Sequence, residues 1–158
     1  MSVISQLRSA TNADDSAFIV EMARHACVIE DWPLPDADDE EVQGLLPRSG
    51  DIAVVAADAV GIGVGAVWTF HHNPPLLVSD CGVALPEIAV AVTPAVRGNG
   101  VGSALLDELF VRSTGKYEAL SLNVHERNPA RQLYERRGFR SVGQGRGALG
   151  IAMLKDLR

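Results

Sequence analysis

Apolar positions in this chain alternate in some segments and recur every three or four residues in others, and the two periods predict different elements. Val3 to Arg8 alternates and predicts a first strand. Phe18, Ile19, Met22, Ala23 and Ala26 recur at helical spacing behind Thr11, Asn12 and Asp14, all three able to cap a helix. Trp32-Pro33-Leu34-Pro35 breaks that helix. Asp36 to Leu46, acidic in front and apolar behind, predicts a short second helix whose charges suit its dipole, and Pro47, Ser49 and Gly50 form a turn. The β-branched runs Ile52–Ala57 and Ile62–Phe70 predict two strands joined by a hairpin loop, Asp58–Gly61. His71 to Gly82, with two prolines, reads as a loop, and Leu85–Val92 as a fourth strand.

Gly100 to Ser113 predicts a helix with Val101, Leu105, Leu109 and Arg112 along one side. Ala119–His125 is a fifth strand, with Leu120, Leu122 and Val124 on one face and Ser121 and Asn123 on the other. Pro129–Arg137 is a short helix, with Asn128 placed to cap it, Pro129 at its first position and Gly138 ending it. Phe139–Val142 and Leu149–Leu154 close the pattern as strands on either side of the glycine-rich stretch Gly143 to Gly150. Consecutive strands mixed with helices, in the order β-α-α-β-β-β-α-β-α-β-β, indicate an α+β fold rather than an alternating doubly wound one. With no internal repeat and no linker, residues 1–158 are expected to form a single domain.

Composition narrows the function. An apolar content of 47% with 22% charged residues is that of a globular chain. A net charge of −6 speaks against nucleic acid as the main partner, which needs a basic surface. The same charge suits a cationic substrate such as an amine, or reflects solubility alone. Cys27 and Cys81 have no metal-ligand spacing and are expected to be reduced, buried or semi-buried thiols; no metal site is expected. No basic-then-apolar leader opens the sequence and no apolar run approaches membrane-spanning length, so a cytoplasmic protein without a membrane partner is expected.

The most informative stretch is Val92-Thr93-Pro94-Ala95-Val96-Arg97-Gly98-Asn99-Gly100-Val101-Gly102-Ser103. A strand, a bare-backbone loop and a helix N-terminus in that order form an anion cradle. Glycine lets backbone N–H groups approach a phosphate, and the helix dipole favours its charge. The loop lacks the Lys-Ser/Thr of nucleoside triphosphatases, and its Gly-x-Gly-x-Gly spacing fails as a dinucleotide fingerprint. Taken alone, the glycines could also do no more than end a strand and start a helix.

Arg97-Gly98-Asn99-Gly100-Val101-Gly102 behind Ala91-Val92-Thr93-Pro94 resembles the acetyl-coenzyme A loop of the GNAT superfamily of N-acetyltransferases. Asn128-Pro129-Ala130-Arg131-Gln132-Leu133-Tyr134-Glu135-Arg136-Arg137-Gly138-Phe139 resembles the Asn-Pro-Ala-x-x-Leu-Tyr-x-x-x-Gly-Phe helix of the same family. The likeness is close over roughly residues 85–142; before residue 85 only the order of elements agrees. It implies a three-layer α/β/α fold with a mixed, mainly antiparallel sheet splayed between the fourth and fifth strands. It also implies acetyl-coenzyme A as acyl donor. The pantetheine arm would pair with the backbone of Val90, Ala91 and Val92, and the pyrophosphate would rest on Arg97, Gly98, Asn99, Gly100, Val101, Gly102 and Ser103. Asn128, Ala130, Arg131 and Tyr134 would complete the cofactor site.

Acetyl transfer to an amine needs a neutral nucleophile, a stabilised oxyanion and a proton for the leaving thiolate. A lysine-like amine of pKa ~10.4 is neutral in only about one molecule in 2,500 at pH 7. The resemblance implies Tyr134 as general acid toward the coenzyme sulfur, although a helix-face core tyrosine is the other reading. Val90 N–H is the expected oxyanion donor. Glu87 is the expected general base, with His71, His72, Asp80 or a water chain as rivals. The acceptor side is assigned to Trp32, Pro33, Leu34 and the acidic run Asp36, Asp38, Asp39, Glu40, Glu41, which could equally be a solvated helix start. Trp32 could wall a pocket or plug the core. The expected acceptor is a small-molecule or peptide primary amine, acetylated by direct attack in a ternary complex without a cysteine nucleophile. A non-catalytic acyl-coenzyme A binding or sensing module and a nucleotide-binding protein are the alternatives. Family habit leaves a homodimer open.

Overall fold

The computed structural model of the chain describes residues 3–29 and 32–158. Seven strands form one sheet: β1 (Gln6–Ser9), β2 (Ala53–Ala57), β3 (Gly63–Phe70), β4 (Glu87–Val92), β5 (Ala119–His125), β6 (Arg140–Gln144) and β7 (Gly150–Asp156). Their spatial order is β1-β2-β3-β4-β5-β7-β6. Every neighbouring pair is antiparallel except β4 and β5, which run parallel and share a single registered pair, Glu87 with Ser121. The fold is therefore the mixed, splayed α+β arrangement expected.

The period-two pattern of the strands divides the core between two helical layers. Helix α1 (Ala13–Ala26) and helix α2 (Glu40–Gly44) cover one face, where Ile19, Met22 and Val42 pack on Val55, Ala66, Trp68 and Ala89. The indole of Trp68 is fully buried and its Nε1 donates to the Leu45 carbonyl at 2.7 Å, which satisfies its one polar atom. Helix α3 (Val101–Ser113) covers the other face, where Leu105, Leu106 and Leu109 meet Val54, Val67, Ile88, Leu120 and Met153. Helix α4 (Ala130–Arg136) lies on that same face, with Leu133 and Tyr134 packed against it. Leu109→Ala is expected to lower stability by about 2–5 kcal/mol, read from the midpoint of urea unfolding, because its site cannot collapse between a helix and a sheet.

Several expected boundaries move, each for a local reason. The first strand begins at Gln6 rather than Val3, where regular pairing with Ala57 starts. The second helix is only Glu40–Gly44: Asp39 accepts from Glu41 N at 2.9 Å as its cap, and Asp36 is spent on a preceding turn. The buried seam of α3 runs through Leu106 to Ser113 instead of Arg112, whose guanidinium reaches Ser9 Oγ at 2.7 Å. The last two strands extend beyond expectation, to Gln144 and Asp156: the β6–β7 ladder continues past an irregularity between Ser141 and Gly143, and Asp156 pairs with Ala119 of β5. Asn12 is the cap of α1, accepting from Asp15 N at 2.8 Å. Among the described residues no helix is long and apolar enough to cross a membrane.

Candidate active site

The parting of β4 from β5 opens the middle of the sheet. At its closed end Ser121 donates both its N–H and its Oγ to the Pro86 carbonyl, each at 2.9 Å. Beyond that point β4 keeps only one hydrogen-bonded neighbour, β3. Thr93 N donates to Val64 O at 2.9 Å, and hydrogen-bonded positions alternate along an antiparallel pair. Ala91 and Ala89 therefore spend their amides on β3. Val90 and Val92 point theirs toward the splay, where β5 no longer receives them. All three residues line the cavity, but Val90 and Val92 turn their amides to the gap, while the amide of Ala91 belongs to the ladder and its side chain to the α1 face.

The gap deepens into a cavity of about 1640 Å³, ample for two substrates at once. One end meets the glycine loop. Pro94–Val96 forms a single 3-10 turn, and Gly98 and Gly100 take φ values of 81° and 78°, which side chains with a Cβ rarely adopt. Gly100 caps α3, whose first internal bond runs from Ala104 N to Gly100 O, so the N–H groups of Val101, Gly102 and Ser103 have no partner within the helix. Asn99 braces the loop from inside, its Nδ2 donating to Val96 O at 2.9 Å and to Arg97 O at 3.2 Å. Arg97 folds back so that its Nε donates to Val92 O at 3.2 Å. The loop thus offers backbone donors first, with the Arg97 charge beside them.

Asn128 caps α4 through Oδ1, which accepts from Ala130 N at 2.9 Å, and it also lines the cavity together with Ala130, Leu133 and Tyr134. Tyr134 stands edge-on to Phe139, 6.0 Å between ring centroids. Burial pushes its phenol up to about 12, so it is a proton donor and not a phenolate across the neutral range. Asn99 and Arg131, both expected in the cofactor site, do not line the cavity; the Arg131 Nε is buried, 3.1 Å from Glu135 Oε1.

At the other end of the cavity stands Glu87, 2% exposed. Both its oxygens are gripped by Arg146, Nη1 to Oε1 at 2.6 Å and Nη2 to Oε2 at 2.7 Å. Its Oε2 also lies 3.5 Å from Nδ1 of His72. Arg146 comes from the β6–β7 loop, which is moored on β5 by the Asn123 carboxamide accepting from Arg146 N at 2.8 Å. A Cβ at Gly145 would collide with that same Asn123 oxygen, so this approach requires glycine. Neither Arg146 nor Arg136, which also lines the cavity, was expected in the site. The partner of Arg146 is 59 residues away, and no local pattern betrays it.

The remaining rivals for a base separate by position. His71 turns toward Asp51, 3.4 Å from its Oδ1, and Asp80 is exposed; neither lines the cavity, whereas His72 does. Trp32 is 54% exposed, edge-on to His125 at 6.0 Å, so it walls the mouth and plugs no core. Of the acidic run only Glu41 reaches the cavity wall. Cys27 lines it as well, but burial, with Glu41 and Asp39 nearby, pushes its thiol up to about 12, which leaves no thiolate to act as nucleophile. Cys81 is exposed, contrary to the buried or semi-buried position expected of it, because it lies in the turn held by Gly82 N and Ser79 O.

The family model described as an acetyltransferase (GNAT) domain matches residues 48–141. A curated relative, the 5-NmdU N-acetyltransferase of Pseudomonas phage PaMx11, is 32% identical over 68 residues; the match spans 42% of this chain and 47% of that protein. Among solved structures, a GCN5-related N-acetyltransferase from Kribbella flavida superposes with a TM-score of 0.70 at 24% identity, covering 96% of each chain. A GNAT superfamily phosphinothricin acetyltransferase from Sinorhizobium meliloti, in complex with AcCoA, gives 0.70 at 23% identity, covering 96% of this chain and 87% of that one. At these identities the structural likeness establishes the fold.

Proposed function

The chain belongs to the GNAT acetyltransferase family, and on that premise we propose that it transfers the acetyl group of acetyl-coenzyme A to a primary amine by direct attack in a ternary complex. The observation that carries this reading is the alignment of three features along one cavity: the glycine loop, the free amides of Val90 and Val92, and Tyr134. The loop and the first turn of α3 hold the pyrophosphate through N–H groups of Gly98 to Ser103. The pantetheine arm pairs with the β4 edge as a strand would. Val90 N–H points at the thioester carbonyl and stabilises its oxyanion as the amine adds. Tyr134 supplies the proton that the departing sulfur needs. The curated relative is named for N-acetyl transfer, which supports nitrogen as the accepting atom.

The deciding experiment incubates the protein with acetyl-coenzyme A and a panel of amines and follows free thiol. Acceptor-dependent thiol release supports acetyl transfer. Saturable coenzyme A binding without turnover on any amine supports the sensing module instead, and affinity for ATP or NAD without affinity for coenzyme A supports a nucleotide-binding protein. Gly100→Val tests the loop. A branched side chain at φ 78° costs about 1–2 kcal/mol and stands beside the donor N–H groups. Coenzyme A affinity is expected to fall at least about tenfold by calorimetry, the equivalent of about 1.4 kcal/mol.

A further inference from the structure

We propose that His72 is the base that takes the proton of the acceptor amine, and that Glu87 is a positioning residue that orients the His72 ring, itself held in place by Arg146. The proposal rests on the acetyl-transfer reading above and assigns its proton path.

The geometry distinguishes the two candidates. Glu87 has a charge-assisted hydrogen bond on each oxygen, in the bidentate form that fixes a carboxylate most firmly, and it is nearly closed off from the cavity. Both its oxygens are thus committed to Arg146, and little of the carboxylate is left open to a substrate. His72 lines the same cavity and is the more exposed of the two, one-third against 2%. Its Nδ1 is buried without a hydrogen-bond partner, and the nearest acceptor is Glu87 Oε2, 3.5 Å away. A proton on Nδ1 would face that carboxylate, and the lone pair would then sit on Nε2. The side chain is one-third exposed and lines the cavity. The ring plane is set by Phe70, edge-on at 5.5 Å, and by Gly44, where a Cβ would come within 3.3 Å of Nε2.

The proton balance follows from that tautomer. The acceptor ammonium gives one proton to Nε2 of His72, and the imidazolium is stabilised by Glu87 until the proton passes to solvent. The neutral amine forms the C–N bond at the thioester carbonyl, and the C–S bond breaks with its electron pair on sulfur. Sulfur takes the Tyr134 proton, the nitrogen loses its surplus proton as the amide forms, and Tyr134 is reprotonated from water. One proton is released overall. The charged and titratable groups that bear on the ring are Glu87 from β4, Arg146 from the β6–β7 loop, and Glu41 from α2 and His25 from α1 on the same cavity wall.

Two measurements on the full chain test this. Nitrogen NMR of the imidazoles, with His72→Gln for assignment, is expected to show neutral His72 protonated on Nδ1, and Glu87→Gln is expected to shift the balance to the Nε2–H form. An Nε2–H tautomer in the unsubstituted protein, or no response to Glu87→Gln, overturns the pairing. In turnover, His72→Gln is expected to lower kcat about a hundredfold or more and to remove the acidic limb of its pH profile, with coenzyme A affinity unchanged. A His72→Gln protein within threefold of the original rate, with its acidic limb intact, overturns the catalytic assignment. If the unsubstituted protein acetylates no amine, the acetyl-transfer reading has failed and the base assignment fails with it. The NMR result still separates a real His72–Glu87 pair from its absence.

Discussion

Tyr134→Phe is expected to lower kcat by about 10²–10³-fold, or roughly 3–4 kcal/mol of activation free energy, while leaving coenzyme A affinity and folding stability nearly unchanged. The substitution deletes one oxygen. The ring keeps its edge-on contact with Phe139 at 6.0 Å and its place against the α3 layer. What is lost is a buried phenol hydroxyl at the cavity wall, the proton donor proposed for the departing sulfur. Because burial pushes that phenol up to about 12, it remains a donor across the neutral range. The kcat profile of the unsubstituted protein should therefore show no alkaline limb from Tyr134 below about pH 11. Undiminished turnover of Tyr134→Phe at saturating acetyl-coenzyme A would leave the tyrosine with a packing role only.

Arg146→Met is expected to cost about 2–3 kcal/mol of folding stability, measured by urea unfolding. Removing one partner of a fully enclosed ion pair typically costs 3–5 kcal/mol, because the other charge is left buried. Arg146 is 35% exposed at its side chain, so water tempers the loss. Glu87, at 2%, has no such relief. Pairing the change with Glu87→Gln should recover most of the stability, since no uncompensated charge then remains. The ion pair has a second consequence. Glu87 belongs to β4 and Arg146 to the loop moored on β5, so their contact ties the two halves of the sheet together just past the last shared register at Glu87 and Ser121. Loss of the arginine should loosen the acceptor end of the splay while leaving the glycine loop intact. A larger fall in acceptor affinity than in coenzyme A affinity would show this.

The local chemistry of the donor site was legible in the chain because its parts are contiguous. The strand, the loop from Arg97 to Ser103 and the helix behind it follow one another within a dozen residues, and the Asn128 cap precedes Tyr134 by less than two turns. Period and capping carry such signals directly. Details that depend on which way a group turns were not legible. The Asn99 side chain braces its own loop, and the Arg131 guanidinium meets Glu135 one turn along its helix. Ala91 stood beside Val90 in the motif, yet the alternation of the β3–β4 ladder sends its amide to the opposite edge.

The Glu87 end of the cavity shows the same limit more sharply. Glu87 could be picked out, but its environment could not: the guanidinium that grips it comes from 59 residues further along, and the imidazole beside it from the loop after β3. Sequence by itself determined the order of elements, the two-faced core and the glycine turn that opens α3, because those follow from short-range periodicity, backbone freedom at glycine and capping. Only the tertiary structure decided which β4 amides are free, what Glu87 is bonded to and which of His71 and His72 lines the cavity. Those depend on the parallel placement of β5 beside β4 and on its early divergence, a contact between distant segments that no local pattern encodes.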